Sequence, residues 1–228
     1  MNIFFYRLSH ILKKFPKLER LFLDRALRTT LALKLGLAVN MGYAVFKLTT
    51  GAFYKSFWFG AIGVYYIMLC SFKFYLLRKG FLFSRPNSRK RELLILRNCG
   101  VLLLILNASI TAIIYYTIFS GQSFAYPDFI IVLSIFYTAF RIVAAFGDII
   151  NFKKLKSPML SASKALSMSV ALMSLFSLQV TALEKFDLGL KVENLLNLTI
   201  GSAICISVIL IAVTTILRAT KALKEKVP

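Results

Sequence analysis

Six stretches of about 20 mostly apolar residues recur along this chain, and that recurrence constrains its fold more than any other feature. They run approximately over 29–48, 57–77, 98–119, 129–150, 159–180 and 196–217. At about 1.5 Å of rise per residue, each makes a helix of about 30 Å, the thickness of a bilayer's hydrocarbon core. In hydrocarbon a backbone must satisfy its own hydrogen bonds, so repeated helices are the expected solution. The connections are short, leaving no room for a separate domain of ordinary size among the 228 residues. The sequence therefore predicts an all-α, polytopic membrane bundle of six transmembrane helices over 29–217. The mean hydropathy of +0.74 and the 58% hydrophobic content agree with that class.

A net charge of +20 would point to nucleic acid in a soluble protein, but here the charge follows the spans. Arg7, Lys13, Lys14, Lys17, Arg20, Arg25 and Arg28 precede the first. Seven basic residues lie in RKGFLFSRPNSRKRELLILR between the second and third. Lys153, Lys154 and Lys156 follow the fourth, and Arg218, Lys221, Lys224 and Lys226 follow the sixth. The alternate connections are poor in base, and SGQSFAYPD has none. Under the positive-inside rule both termini are expected in the cytoplasm, with the chain in the plasma membrane. The basic face would attract anionic lipid, and no nucleic-acid partner is expected. Phe53, Tyr54, Phe57 and Trp58, with Tyr115, Tyr116, Phe119, Phe124 and Tyr126, mark the opposite interface.

In MNIFFYRLSHILKKF, apolar Phe4, Leu8, Ile11, Leu12 and Phe15 alternate at helical spacing with Arg7, His10, Lys13 and Lys14. Residues 1–28 thus read as a cytoplasmic amphipathic segment lying in the headgroup layer, and 218–228 as a basic tail.

Charge inside the spans is rare and therefore informative. Arg141 falls near the middle of the fourth span, where a guanidinium costs at least ~2.5–3.5 kcal/mol and requires a partner or water. Ser134, Thr138, Arg141, Ala145 and Asp148 succeed one another at +4, +3, +4 and +3, which places them on one helix face. The other face is apolar, so Arg141 is expected to look inward. Asp148 lies about 10 Å along the same face, and its side chain leans back toward Arg141. Asn40 shares a stripe with Gly36, Tyr43 and Lys47 in the first span, and Asn107 with Thr111 and Tyr115 in the third. Small hydroxyl residues line one side of the fifth. Such stripes either pack helices closely or line a polar interior. Lys34, Lys73 and Lys164 lie a few turns from the cytoplasmic side and are expected to snorkel to lipid headgroups.

Enzyme chemistry finds little support. His10 is the single histidine and lies outside the spans, so no multi-histidine metal site or HExxH motif exists. Cys70, Cys99 and Cys205 carry no CxxC spacing. No GxxxxGK[ST] phosphate loop is present, and Asp148 has no second intramembrane aspartate to form a dyad. No cofactor is expected. Two functions stay open: a transporter or channel for a small, anionic solute built around Arg141, Asp148, Thr138, Ser134, Asn107 and Asn40, or an accessory protein whose intramembrane polar residues pack helices or bind a partner. A homo-oligomer or a membrane partner protein fits either.

The segments GAFYKSFWFGAIGVYYIML, FAYPDFIIVLSIFYTAF and FKKLKSPMLSASKAL resemble those of a family of small, uncharacterised six-span bacterial membrane proteins. The resemblance runs from about Leu31 to the end. It implies the six-span topology and, because that family has no established activity, no functional residues.

Overall fold

The computed structural model describes residues 25–82, 88–120, 127–152, 158–186 and 189–225. These form six helices: α1 (Arg25–Phe53), α2 (Phe57–Leu82), α3 (Ser88–Ser120), α4 (Asp128–Phe152), α5 (Pro158–Phe186) and α6 (Leu190–Lys224). Each apolar stretch lies within one helix, but the helices run past the expected span ends. α3 begins ten residues before its expected span, inside the basic connection, and α6 continues to Lys224. Once a helix is nucleated by its buried part, adding a residue at the end costs little, so hydropathy underestimates length. The amphipathic segment expected over 1–28 falls outside the described residues up to position 24; 25–28 belong to α1.

Among the described residues, five helices are long and apolar enough to cross a membrane, over Phe57–Arg78, Arg89–Tyr116, Asp128–Gly147, Pro158–Leu183 and Lys191–Lys224. The chain is thus built as a multi-pass integral membrane protein. α1 has the length, at 29 residues, but is diluted by Arg25, Arg28, Lys34, Asn40, Lys47 and four threonines.

The chain forms two compact units, Met1–Val39 and Asn40–Pro228. Of the first, residues 25–39 are described, and they are helical. In the second, α5 is the central element and packs against α2, α3, α4 and α6. The most extensive described pairing joins α3 to α6. Ser163, Ser167, Ser169, Ser174, Ser177 and Thr181 are all buried along α5. Several of these hydroxyls return a hydrogen bond to their own helix, as Ser169 Oγ does to Ala165 O at 3.0 Å and Thr181 Oγ1 to Ser177 O at 2.8 Å. Small, self-satisfied side chains let four neighbours close on one helix.

The turns follow their residues. Gly51 and Gly60 bring α1 against α2 across a three-residue turn: a Cβ on Gly51 would lie 2.6 Å from Gly60 N. Tyr54 N and Ser56 N donate to Thr50 O and Gly51 O at 3.0 and 2.9 Å, with Lys55 at φ 52°. α4 opens after Pro127 with Asp128 in its first turn, and α5 opens on Pro158, both favourable starts. Gly189, at φ 86°, precedes α6, and its carbonyl accepts from Val192 N and Glu193 N. Lys185 on α5 makes an ion pair with Asp128 on α4.

Candidate functional site

The two faces of α4 separate cleanly. Val132, Phe136, Val143 and Phe146 are exposed and suit lipid, whereas Ser134, Thr138, Arg141 and Ala145 are buried. Arg141 is 1% exposed, 13 residues from Asp128 and 11 from Phe152, so its guanidinium sits in mid-helix. Asp148 lies on the same helix, and its side chain is outside the described residues.

Arg141 Nη2 donates to Ser167 O on α5 at 3.3 Å, while Nε is buried with no hydrogen-bond partner. Lys73 Nζ donates to Ser167 Oγ at 3.0 Å, so two cations from α2 and α4 converge on one serine of α5. Lys73 is 3% exposed, which corrects its expected place among the headgroups: it faces α5, and the length of a lysine stem serves to reach Ser167 instead of water. Lys34 is exposed and Lys164 half-buried.

About two turns away lies a third buried cation. Lys47 Nζ donates to Ser134 Oγ at 3.4 Å and sits 4.0 Å from the Phe59 ring centroid and 5.3 Å from that of Tyr43. The negative ring faces spread its charge where bulk water is distant. Ser134 and Arg141 are seven residues apart, about 10 Å along the helix.

Between those levels stand three tyrosines. The rings of Tyr43 and Tyr137 stack at 3.5 Å with planes 6° apart. Tyr66 meets both edge-on, at 5.3 and 5.9 Å. Tyr137 Oη donates to Asn40 Oδ1 at 3.1 Å, and Tyr43 Oη to Ser134 Oγ at 3.3 Å, so each hydroxyl bonds the helix opposite its own. Asn40 Nδ2 is left without a partner. Thr138 Oγ1 donates to Ser174 O at 3.2 Å and ties α4 to α5.

The structure thus brings Arg141, Thr138, Ser134 and Asn40 into one buried polar region. Asn107 is buried on α3, its backbone carbonyl accepts from Thr111 Oγ1 at 3.1 Å, and no described interaction joins it to Arg141. Lys47, Tyr43, Tyr66, Tyr137 and Ser167 complete the region. The +3, +4 spacing of Asn40, Tyr43 and Lys47 placed those three on one stripe, and Ser167 belongs to the hydroxyl stripe of the fifth span; Tyr66 and Tyr137 gave no comparable signal. Among the described residues no Asp or Glu is buried, and no three His, Cys, Asp or Glu come together. Chemically the region is a cationic interior walled by hydroxyls and aromatic rings, a setting that favours anions.

No family model, curated protein or solved structure matches the chain.

Proposed function

We propose that this is a six-span plasma-membrane protein, with both termini cytoplasmic, that passes a small anionic solute through the interior centred on Arg141. The observation that carries the reading is the state of Arg141: a guanidinium 1% exposed, at mid-helix, holding one carbonyl at 3.3 Å and presenting an unpartnered Nε. Burying that charge is costly, and a donor left open in the same place suits an arriving carboxylate or other oxyanion. The alternation of basic connections supports the topology, with α1 as the sixth span.

An accessory role is the second reading, and one observation favours it. Thr138 to Ser174 and Tyr137 to Asn40 are the kind of interhelical bonds that fix helices in place.

Water separates the two. In a background with Cys70, Cys99 and Cys205 replaced by alanine, single cysteines at Ser134, Thr138 and Ala145 are treated with a charged, membrane-impermeant thiol reagent, with Val143 on the lipid face as control. Labelling of the stripe but not of Val143 supports passage. A stripe that is unreactive from both sides of the membrane means a dry seam and favours the accessory role.

A further inference from the structure

Resting on that reading, we propose that the stacked Tyr43–Tyr137 pair is the gate of the pathway, closing the Arg141 centre off from the end of the bundle at which Lys47 lies.

Position along the helices is the first argument. Lys47 is six residues from the end of α1 and Ser134 six from the start of α4, each about 9 Å, so their contact lies near one end of the bundle. Arg141 lies about 10 Å deeper on the same face. Tyr137 falls between Ser134 and Arg141 on α4, and Tyr43 between Asn40 and Lys47 on α1. Anything moving along this face from Lys47 to Arg141 meets the two rings. They are 5% and 7% exposed, and Tyr66 at 0% backs them, so the three close the interior at this level.

The second argument is that the contact is of a separable kind. Aromatic pairs prefer offset or edge-on arrangements with centroids about 4.5–7 Å apart. At 3.5 Å and 6° the pair is nearly face to face, the less favoured arrangement, while both edge-on contacts to Tyr66 are in the favoured range. Two crossed hydrogen bonds, Tyr137 Oη to Asn40 Oδ1 and Tyr43 Oη to Ser134 Oγ, hold the rings in register. Both acceptors have further use for their polarity: Ser134 also takes the Lys47 ammonium, and Asn40 Nδ2 stands ready as a donor. An anion drawn to Lys47 competes with Ser134 Oγ, as the acceptor, for the Lys47 ammonium and the Tyr43 hydroxyl. Arrival of solute at the outer cation and release of the ring are therefore linked at one oxygen atom, Ser134 Oγ.

Sided cysteine labelling tests this in the protein reconstituted in lipid vesicles of defined orientation. With the stack intact, a cysteine at Ala145, one turn past Arg141, reacts only from the side opposite Lys47. Tyr137→Ala should let the Ala145 cysteine react from the Lys47 side at least tenfold faster, and Tyr43→Ala should do the same. Tyr137→Phe keeps the ring, loses the Asn40 bond, and should remain closed; a monodisperse size-exclusion profile confirms that each variant folds. An Ala145 cysteine equally reactive from both sides with the stack intact, or unmoved by both alanine variants, overturns the gate while leaving a wet pathway. Failure of every stripe cysteine to react from either side overturns the pathway itself, and the gate with it.

Discussion

The α3–α6 pair and the α2–α4–α5 group with the later part of α1 are made of the same apolar background, yet they use it differently. Along α3 and α6 the helices approach until glycine is required: a Cβ on Gly100 would lie 2.5 Å from Ile216 Cγ1 and 2.9 Å from Ala212 O, and one on Gly201 2.9 Å from Ile114 Cδ1. The described polar link there is the weak contact of Thr111 Oγ1 with Cys205 Sγ at 3.7 Å. On the other side Arg141, Lys47 and Lys73 are buried among serines and tyrosines. Lipid offers no hydrophobic drive between helices, so shape complementarity is what holds the first pair. The second group buries polar groups where apolar ones would pack at lower cost, and that difference is why the proposed function is centred there.

The largest expected effect breaks the comparison if it fails. Arg141→Met keeps length and removes charge, and Arg141→Gln keeps some polarity. Losing a charge-assisted hydrogen bond of about 1.5–3 kcal/mol should cut anion flux into proteoliposomes by ten- to a hundredfold in both. Stability should hold or rise in the methionine variant, because replacing a buried charge by an apolar side chain is often stabilising by about 1–4 kcal/mol. A fall in thermal midpoint with flux unchanged would make Arg141 a packing residue, no different in kind from Gly100.

Gly100→Ala should be the most damaging single-methyl change between α3 and α6, at about 1–3 kcal/mol, since one obstacle is a backbone carbonyl that cannot swing away. For Gly201→Ala the nearest obstacles are Ile114 side-chain atoms. That substitution should cost less and be rescued by Ile114→Val, which removes Cδ1. Thermal unfolding in detergent reads both, and rescue of Gly100→Ala by trimming Ile216 alone would contradict the role given to Ala212 O.

These contrasts bear on what the sequence could reveal. Hydropathy located each of the six described helices, but it stopped at the edge of the apolar run, short of Ser88 in α3 and Lys224 in α6. Spacing predicted that Ser134, Thr138, Arg141 and Ala145 share a face, and they are buried together. It could not rank the lysines. Lys34 and Lys73 look alike by depth, yet Lys34 is exposed and Lys73 lies on Ser167, because the outcome depends on which helix stands opposite. The Tyr43–Tyr137 stack joins residues 94 positions apart on different helices, and no local period encodes that meeting.

Within the polar group the hydroxyl ties should be individually modest. Thr138→Val is isosteric and removes the bond to Ser174 O, with an expected loss of about 0.5–1.5 kcal/mol in thermal or denaturant unfolding. The lower part of that range is expected, because Ser174 O is a helix carbonyl with a second lone pair and an intrahelical partner. A loss several times larger would mean that Thr138 orders the seam around Arg141 as well as bonding across it.

The smallest effect should have the opposite sign. Gly147 lies on α4 six residues past Arg141, and a Cβ built there meets no atom within 4 Å. Gly147→Ala should therefore stabilise by roughly 0.5–1 kcal/mol, the usual gain from replacing a mid-helix glycine by alanine. Set beside Gly100→Ala, it measures how differently the two sides of the bundle are filled: the same methyl should lower the thermal midpoint on α3 and raise it on α4. Equal losses at both positions would mean that α4 is closely covered at Gly147 too, and that its polar face belongs to a bundle packed to one standard throughout. Opposite signs would show that the close fit is confined to the α3–α6 contact, leaving α4 the slack that a moving gate beside Arg141 requires.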